Sequence, residues 1–168
     1  MESVNSEIFW IPGPWSGKLA ITARPRGGDW LEDEAARWRL AGLNLVVSLL
    51  EETEATELEL THEGEAAEVN GARFVSFPIP DRGVPASMPL VFKLLRDIVG
   101  ALEQGKNVAV HCRQSVGRSG LIAAAALVTS GINAGRAIEI VSSARGQTVP
   151  ETTTQLRWIH HLPPERLP

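Results

Sequence analysis

The chain has 168 residues, a formal net charge of −4, 43% hydrophobic and 21% charged residues. That length favours one domain with a real core, and the composition disfavours disorder. The negative balance argues against nucleic acid or an anionic membrane as a general partner, and a single cysteine rules out an internal disulfide or a zinc site built on two or more thiolates.

Residues 1–15 contain Glu2 and Glu7 and no apolar run of signal-peptide length, and no stretch reaches the roughly 18 apolar residues of a membrane span. A cytoplasmic location and no membrane partner are therefore the expectation. Residues 8–22 are broken by Pro12, Gly13, Pro14 and Gly17 and suit short edge strands and turns. Asp29 and Glu32 have capping-box spacing; Leu31, Ala35 and Trp38 follow at helical spacing, and Gly42 ends that helix. Residues 45–50 read as a buried strand. Residues 51–68 hold eight Glu and no Lys or Arg, a pattern expected of a solvated face rather than a partner-docking surface.

Residues 73–77 read as another strand, running into Pro78-Ile79-Pro80-Asp81-Arg82-Gly83-Val84-Pro85, where the prolines disfavour regular structure. Val91, Leu95, Ile98 and Leu102 form a helical stripe ending near Gly105. A strand is expected over 107–110 and a small-residue helix over 121–128, closing at Gly131. Asn133 caps a further helix with Ala137, Val141 and Ala144 inward, and a last helix covers 152–161 before a proline-rich tail. The alternation gives a single α/β domain over 1–168, with a central, mostly parallel sheet flanked by helices. Trp10, Trp15, Trp30, Trp38 and Trp158 are expected to pack the core or its edges. His62, His160 and His161 are expected at the surface.

The chemistry lies in Val108-Ala109-Val110-His111-Cys112-Arg113-Gln114-Ser115-Val116-Gly117-Arg118-Ser119-Gly120. A buried strand leads in and a helix leads out, so the N–H groups of Arg113, Gln114, Ser115, Val116 and Gly117 can converge on one concave nest at a helix N-terminus. Such a nest binds a tetrahedral dianion, and the planar fork of Arg118 can hold two of its oxygens. Cys112 would lie on the floor, where the N–H groups and Arg118 favour the thiolate, the nucleophilic form of the side chain. The same nest would stabilise the charged phosphoryl oxygens during transfer.

His-Cys-x5-Arg-Ser in this strand–loop–helix setting resembles the signature of the protein tyrosine phosphatase superfamily. The layout from about Leu45 to Ile159 is similar to that of small dual-specificity-like members of the cyclin-dependent kinase-associated phosphatase type. The resemblance implies a cysteine-phosphatase fold with its catalytic core at about 40–162. It also implies hydrolysis of phosphotyrosine, and of phosphoserine or phosphothreonine, through a phosphocysteine, without cofactor or metal. Pro78-Ile79-Pro80-Asp81 falls where the family carries its general acid, which makes Asp81 the expected acid; Glu51 and Glu52 are its rivals. Ser119 would bond the cysteine sulfur, and His111 would support the loop. Arg145-Gly146 with Gln155 resembles the late loop that positions water, and Gln147 is the alternative to Gln155.

Several positions depart from the common pattern. Ser115 replaces a usual glycine, which would stiffen the loop or narrow the pocket. Arg113 adds charge at the rim, Trp-Pro-Asp is missing, and the chain has no tyrosine. These departures suit a compact enzyme with a shallow site. The expected partner is a phosphorylated protein substrate, met by a monomer. The rival readings are a weakly catalytic phosphoprotein-binding module, a phosphatase of non-protein monoesters and a sulfur-transfer enzyme.

Overall fold

Four short parallel strands, three of them apolar enough to lie inside the protein, decide where every loop of interest emerges. In the computed structural model, which describes residues 7–163, the strands are β1 (Ile8–Ile11), β2 (Leu19–Thr22), β3 (Leu45–Ser48), β4 (Arg73–Ser76) and β5 (Val108–His111). They form one sheet in the order β1-β2-β5-β3-β4. Only β1 runs antiparallel to its neighbour; β2, β3, β4 and β5 are parallel. β2, β3 and β5 are buried at all four positions, as strands covered on both faces must be.

Alternation along these strands sorts the two faces. Leu19, Ile21, Leu45, Val47, Val108 and Val110 join the larger core with α4 (Met88–Glu103) and α5 (Gly117–Thr129). Ala20, Val46 and Ala109 face the smaller core, with Ala35 and Trp38 of α1 (Leu31–Leu40) and Ala67 of α3 (Glu63–Val69). All residues of α5 are buried. It lies among the sheet, α4, α6 (Ala134–Arg145) and α7 (Thr153–His160), and its run Ala123–Ala126 permits that close packing. The expected α/β architecture with a mostly parallel sheet is the one observed. The stripe Val91, Leu95, Ile98, Leu102 is buried, and Asn133 caps α6 by accepting from the Arg136 N–H at 2.9 Å.

Other expectations are corrected. β2 is not an edge strand but lies inside the sheet between β1 and β5. Asp29 does not cap α1: Gly28–Trp30 form a 3-10 turn, and Trp30 precedes α1 without a side-chain cap. Trp10 and Trp30 are exposed (39% and 54%), whereas Trp38 is fully buried. The Glu-rich stretch is not a uniformly solvated face. It folds into α2 (Glu52–Glu57) and α3, and Glu54 and Glu63 turn inward to basic partners described below. The helix after the phosphate-nest motif starts at Gly117, so Gly117, Arg118 and Ser119 lie in its first turn. The proline-rich tail from residue 164 onward and residues 1–6 lie outside the described residues. Among the described residues no helix is long and apolar enough to cross a membrane.

Two helix glycines make opposite demands. A Cβ on Gly120 would meet the Val149 side chain at 2.8 Å, whereas one on Gly100 in α4 would meet nothing within 4 Å. Gly120→Ala should therefore destabilise by about 1–3 kcal/mol through overpacking, and Gly100→Ala should stabilise by roughly 0.5–1 kcal/mol through lower chain entropy. Thermal unfolding of the two variants checks both signs.

Candidate active site

Because β2, β3, β4 and β5 are parallel, the segments that follow them open at one edge of the sheet, where ligands of open α/β sheets bind. Residues 22–24, 49–54, 77–83 and 112–118 meet there. Cys112 directly follows β5 and is 2% exposed, and its Sγ lies 3.1 Å from Ser119 Oγ. Ser115 takes a left-handed φ of 62°, a conformation that costs a side chain energy. That explains why glycine is the usual residue there. Contacts hold it in place: Ser115 Oγ donates to the Thr22 carbonyl at 3.0 Å, and Arg145 Nε donates to the Ser115 carbonyl at 2.8 Å. Arg24 Nη1 similarly donates to the Arg113 carbonyl at 2.7 Å. The loop's supports thus reach back to Thr22 and Arg24, upstream of residue 40.

Arg118 is 2% exposed. Its fork meets Glu54 twice, Nη1 to Oε1 at 2.6 Å and Nη2 to Oε2 at 2.9 Å. Nη1 also donates to the Ile79 carbonyl at 2.9 Å, and Nη2 lies 3.4 Å from Asp81 Oδ1. Burial, the largest single influence, disfavours the guanidinium charge. The Glu54 hydrogen bond and the neighbouring Cys112, Glu54 and Asp81 outweigh it and raise the Arg118 pKa. The Glu54 carboxyl is held below its ordinary range, first by the hydrogen bond from Arg118, against burial, and then by the Glu51 N–H and the charges of Arg118 and Arg113.

Glu54 was not singled out by sequence reasoning, which weighed Glu51 and Glu52 instead. Neither of those has a described contact with Arg118. Glu54 Oε1 also accepts from the Glu51 N–H at 3.0 Å, so helix capping and arginine binding use one carboxylate. Position in a helix first turn just after a central strand was the available signal, but it is too common to select Glu54 among eight acids.

Pro80 and Gly83 close a turn, Gly83 N to Pro80 O at 2.8 Å, with Asp81 and Arg82 at its corners. The buried Ile79 anchors it, and the Asp81 side chain is 59% exposed. Gln155 is fully buried. Its Nε2 donates to the Gly83 carbonyl at 3.0 Å, and its Oε1 accepts from the Glu151 and Thr152 N–H groups at 3.3 and 3.2 Å. Gln147 is exposed.

His111 is fully buried. Its Nε2 pairs with Glu63 Oε2, and its Nδ1 lies 3.5 Å from the Cys112 carbonyl. Glu63 is thus a second buried acid beside the candidate site that the sequence did not reveal. Arg113 Nη1 approaches Glu57 at 3.4 Å and Glu54 at 3.9 Å. Gln114 is exposed, and Val116 packs partly against the core. The surface histidines are where they were expected. No group of three or more His, Cys, Asp or Glu suited to a metal occurs among the described residues.

This fold, with a cysteine beneath a loop that ends in a buried arginine, is that of the cysteine phosphatases. The family described as polymorphic toxin system DSP-PTPase phosphatase matches residues 22–132, and the chain belongs to it. A protein of Invertebrate iridescent virus 6, whose name proposes a tyrosine phosphatase, is 31% identical over 97 residues, 55% of this chain and 35% of its own length. The rat protein named cyclin-dependent kinase inhibitor 3 is 28% identical over 87 residues, 51% of this chain and 41% of its own. The chain therefore spans well under half the length of these relatives.

Among solved structures, the kinase associated phosphatase, with serine in place of its catalytic-site cysteine, superposes with a TM-score of 0.84 at 18% identity. That match covers 95% of this chain and 94% of the other. Tk-PTP in its active form gives 0.73 at 28% identity, covering 94% and 98%.

Truncating one member of a buried ion pair costs about 3–5 kcal/mol, and Glu54→Ala should lose stability of that order at neutral pH. The lowered carboxyl fixes the pH dependence. The pair's stabilisation is complete above the ordinary value of 4.5 and is lost as pH falls through the lower folded value. Urea unfolding of parent and variant should give a constant gap between about pH 6 and 8, narrowing in acid.

Proposed function

We propose that residues 1–168 form one cysteine-dependent protein phosphatase domain that hydrolyses phosphotyrosine, with phosphoserine and phosphothreonine as further substrates, through a phosphocysteine. The observation that carries this reading is the meeting of Cys112, Ser119, Arg118 and Asp81 at one sheet edge, linked by the 3.1 Å sulfur–hydroxyl contact and the 3.4 Å contact of Arg118 with Asp81. No residue outside the chain is needed for the charge balance, because the arginine fork and the loop N–H groups supply it.

In the first step the Cys112 thiolate forms an S–P bond as the ester P–O bond breaks, and the Asp81 carboxyl gives its proton to the departing oxygen. In the second, water attacks phosphorus and passes a proton to the Asp81 carboxylate. The S–P electron pair returns to Sγ, where the Ser119 hydroxyl can donate to the forming thiolate. Arg118 and the N–H groups of 113–117 hold the three non-bridging oxygens throughout. An Asp81 side chain 59% exposed gives the acid access to leaving groups of different reach, which supports more than one phosphorylated residue as substrate.

Cys112→Ser should abolish hydrolysis of an aryl phosphate while vanadate still binds, since the nest is intact; substantial turnover by the purified variant would overturn the assignment. Asp81→Asn should lower kcat by about 10²–10⁴-fold on a poor leaving group and less on an activated one. Parallel assays on phosphotyrosyl and phosphoseryl peptides, an inositol phosphate and thiosulfate separate the protein substrates from the rival chemistries.

A further inference from the structure

The turn that carries Asp81 is held in an unfavourable shape. Arg82 occupies its second corner with φ 60°, a left-handed position that ordinarily takes glycine or asparagine. A long side chain stays there only when its surroundings over-determine it. The contacts that do so come from the start of α7 and the residues before it. Arg82 Nη1 lies 3.6 Å from Glu151 Oε2, and Gln155 Nε2 donates to the carbonyl of Gly83, the next residue.

These two contacts form one unit, because the Gln155 Oε1 accepts from the Glu151 backbone N–H. The Glu151 carboxylate also lies against the first residue of α5: a Cβ on Gly117 would come within 2.6 Å of Oε1. Glycine at 117 leaves room for that carboxylate, and the positive end of α5 favours it. Glu151 therefore touches both halves of the site, the acid turn through Arg82 and the phosphate nest through Gly117.

We propose that Glu151 is a positioning residue for the general acid, the centre of a latch from the α7 entrance that sets Asp81 over the phosphate nest. The inference rests on Asp81 being the acid of the proposed reaction. As a source of stability the Arg82–Glu151 pair is minor, since the two side chains are 65% and 28% exposed and exposed pairs contribute little. Its effect is geometric: a proton donor acts only within hydrogen-bond reach of the leaving oxygen, and small misplacements of such a group are costly in rate. The latch also gives Gln155 a different task from orienting water. Its amide nitrogen holds the acid turn, and its oxygen holds the α7 entrance.

The test uses Glu151→Ala and the shape-preserving Glu151→Gln, each alone and combined with Asp81→Asn, on phenyl phosphate and on an activated aryl phosphate. The expected result is a loss of about tenfold in kcat on phenyl phosphate and less than about twofold on the activated ester. In the Asp81→Asn background no further loss is expected. Vanadate should still inhibit both variants, with a smaller change than the loss on phenyl phosphate, which reports a nest that is still assembled. Amide exchange across residues 81–87 should accelerate while that of residues 108–120 does not.

Equal losses on both esters, losses that multiply with Asp81→Asn, or unchanged exchange across the turn would overturn the latch. If Asp81→Asn alone leaves phenyl phosphate turnover intact, the acid assignment falls and takes this proposal with it. An Asp81 effect without a Glu151 effect overturns the latch alone.

Discussion

Arg118 carries its charge at a place where only 2% of its surface meets solvent, and Glu54 makes that possible. An unpaired buried guanidinium would cost several kcal/mol. The two parallel hydrogen bonds from the Glu54 carboxylate offset that cost and fix the plane of the fork. Three separate pieces of chain meet at this one group: α2 through Glu54, the Ile79–Gly83 segment through the Ile79 carbonyl and Asp81, and α5 through Arg118 itself. A buried pair of this kind adds little net stability compared with an apolar pair. Its visible effect is geometric: it ties α2 and the segment after β4 to the first turn of α5.

The sheet makes the convergence inexpensive. Parallel strands send their following loops to one edge, so residues far apart in the chain meet there: Glu54 and Arg118 are 64 positions apart, and Thr22 and Ser115 are 93. The apolar, fully buried β5 between β2 and β3 places Cys112 at the middle of that edge rather than its margin. Two of the three described non-glycine residues with positive φ, Ser115 and Arg82, lie at the site; the third is Glu59. At the two site positions the side chain or carbonyl is tied to another segment, Thr22 and Arg145 for Ser115 and Glu151 for Arg82.

The Glu-rich stretch serves two purposes that its composition conceals. Most of its acids face solvent. Glu54 turns to Arg118 beside the nest, and Glu63 turns to His111 beneath it. Each is a buried acid matched to a buried base.

Residues local to one another were enough to single out the Cys112–Arg118 loop between strand and helix, the turn with Asp81, the apolar stripe of α4 and the α/β alternation. Each depends on spacing within a few residues: His111-Cys112 to Arg118, Pro80-Asp81, or the 3.6-residue period. The family match over residues 22–132 agrees with what that signature implied. Pairings across the chain were not legible. Nothing in residues 51–68 distinguishes Glu54 and Glu63 from the six other glutamates, because inward or outward facing depends on which basic side chain lies opposite. Gln155 could be read as a water-orienting residue from its position in sequence; its contacts with Glu151 and Thr152 belong to the local capping box of α7, but its bond to the Gly83 carbonyl is set by where α7 docks. The internal place of β2 likewise follows from its parallel pairing with β5, a contact between residues about ninety positions apart. Local chemistry is written in the order of residues. Which charges become partners, and which strained turns are held, is decided only when the sheet brings distant segments to one edge.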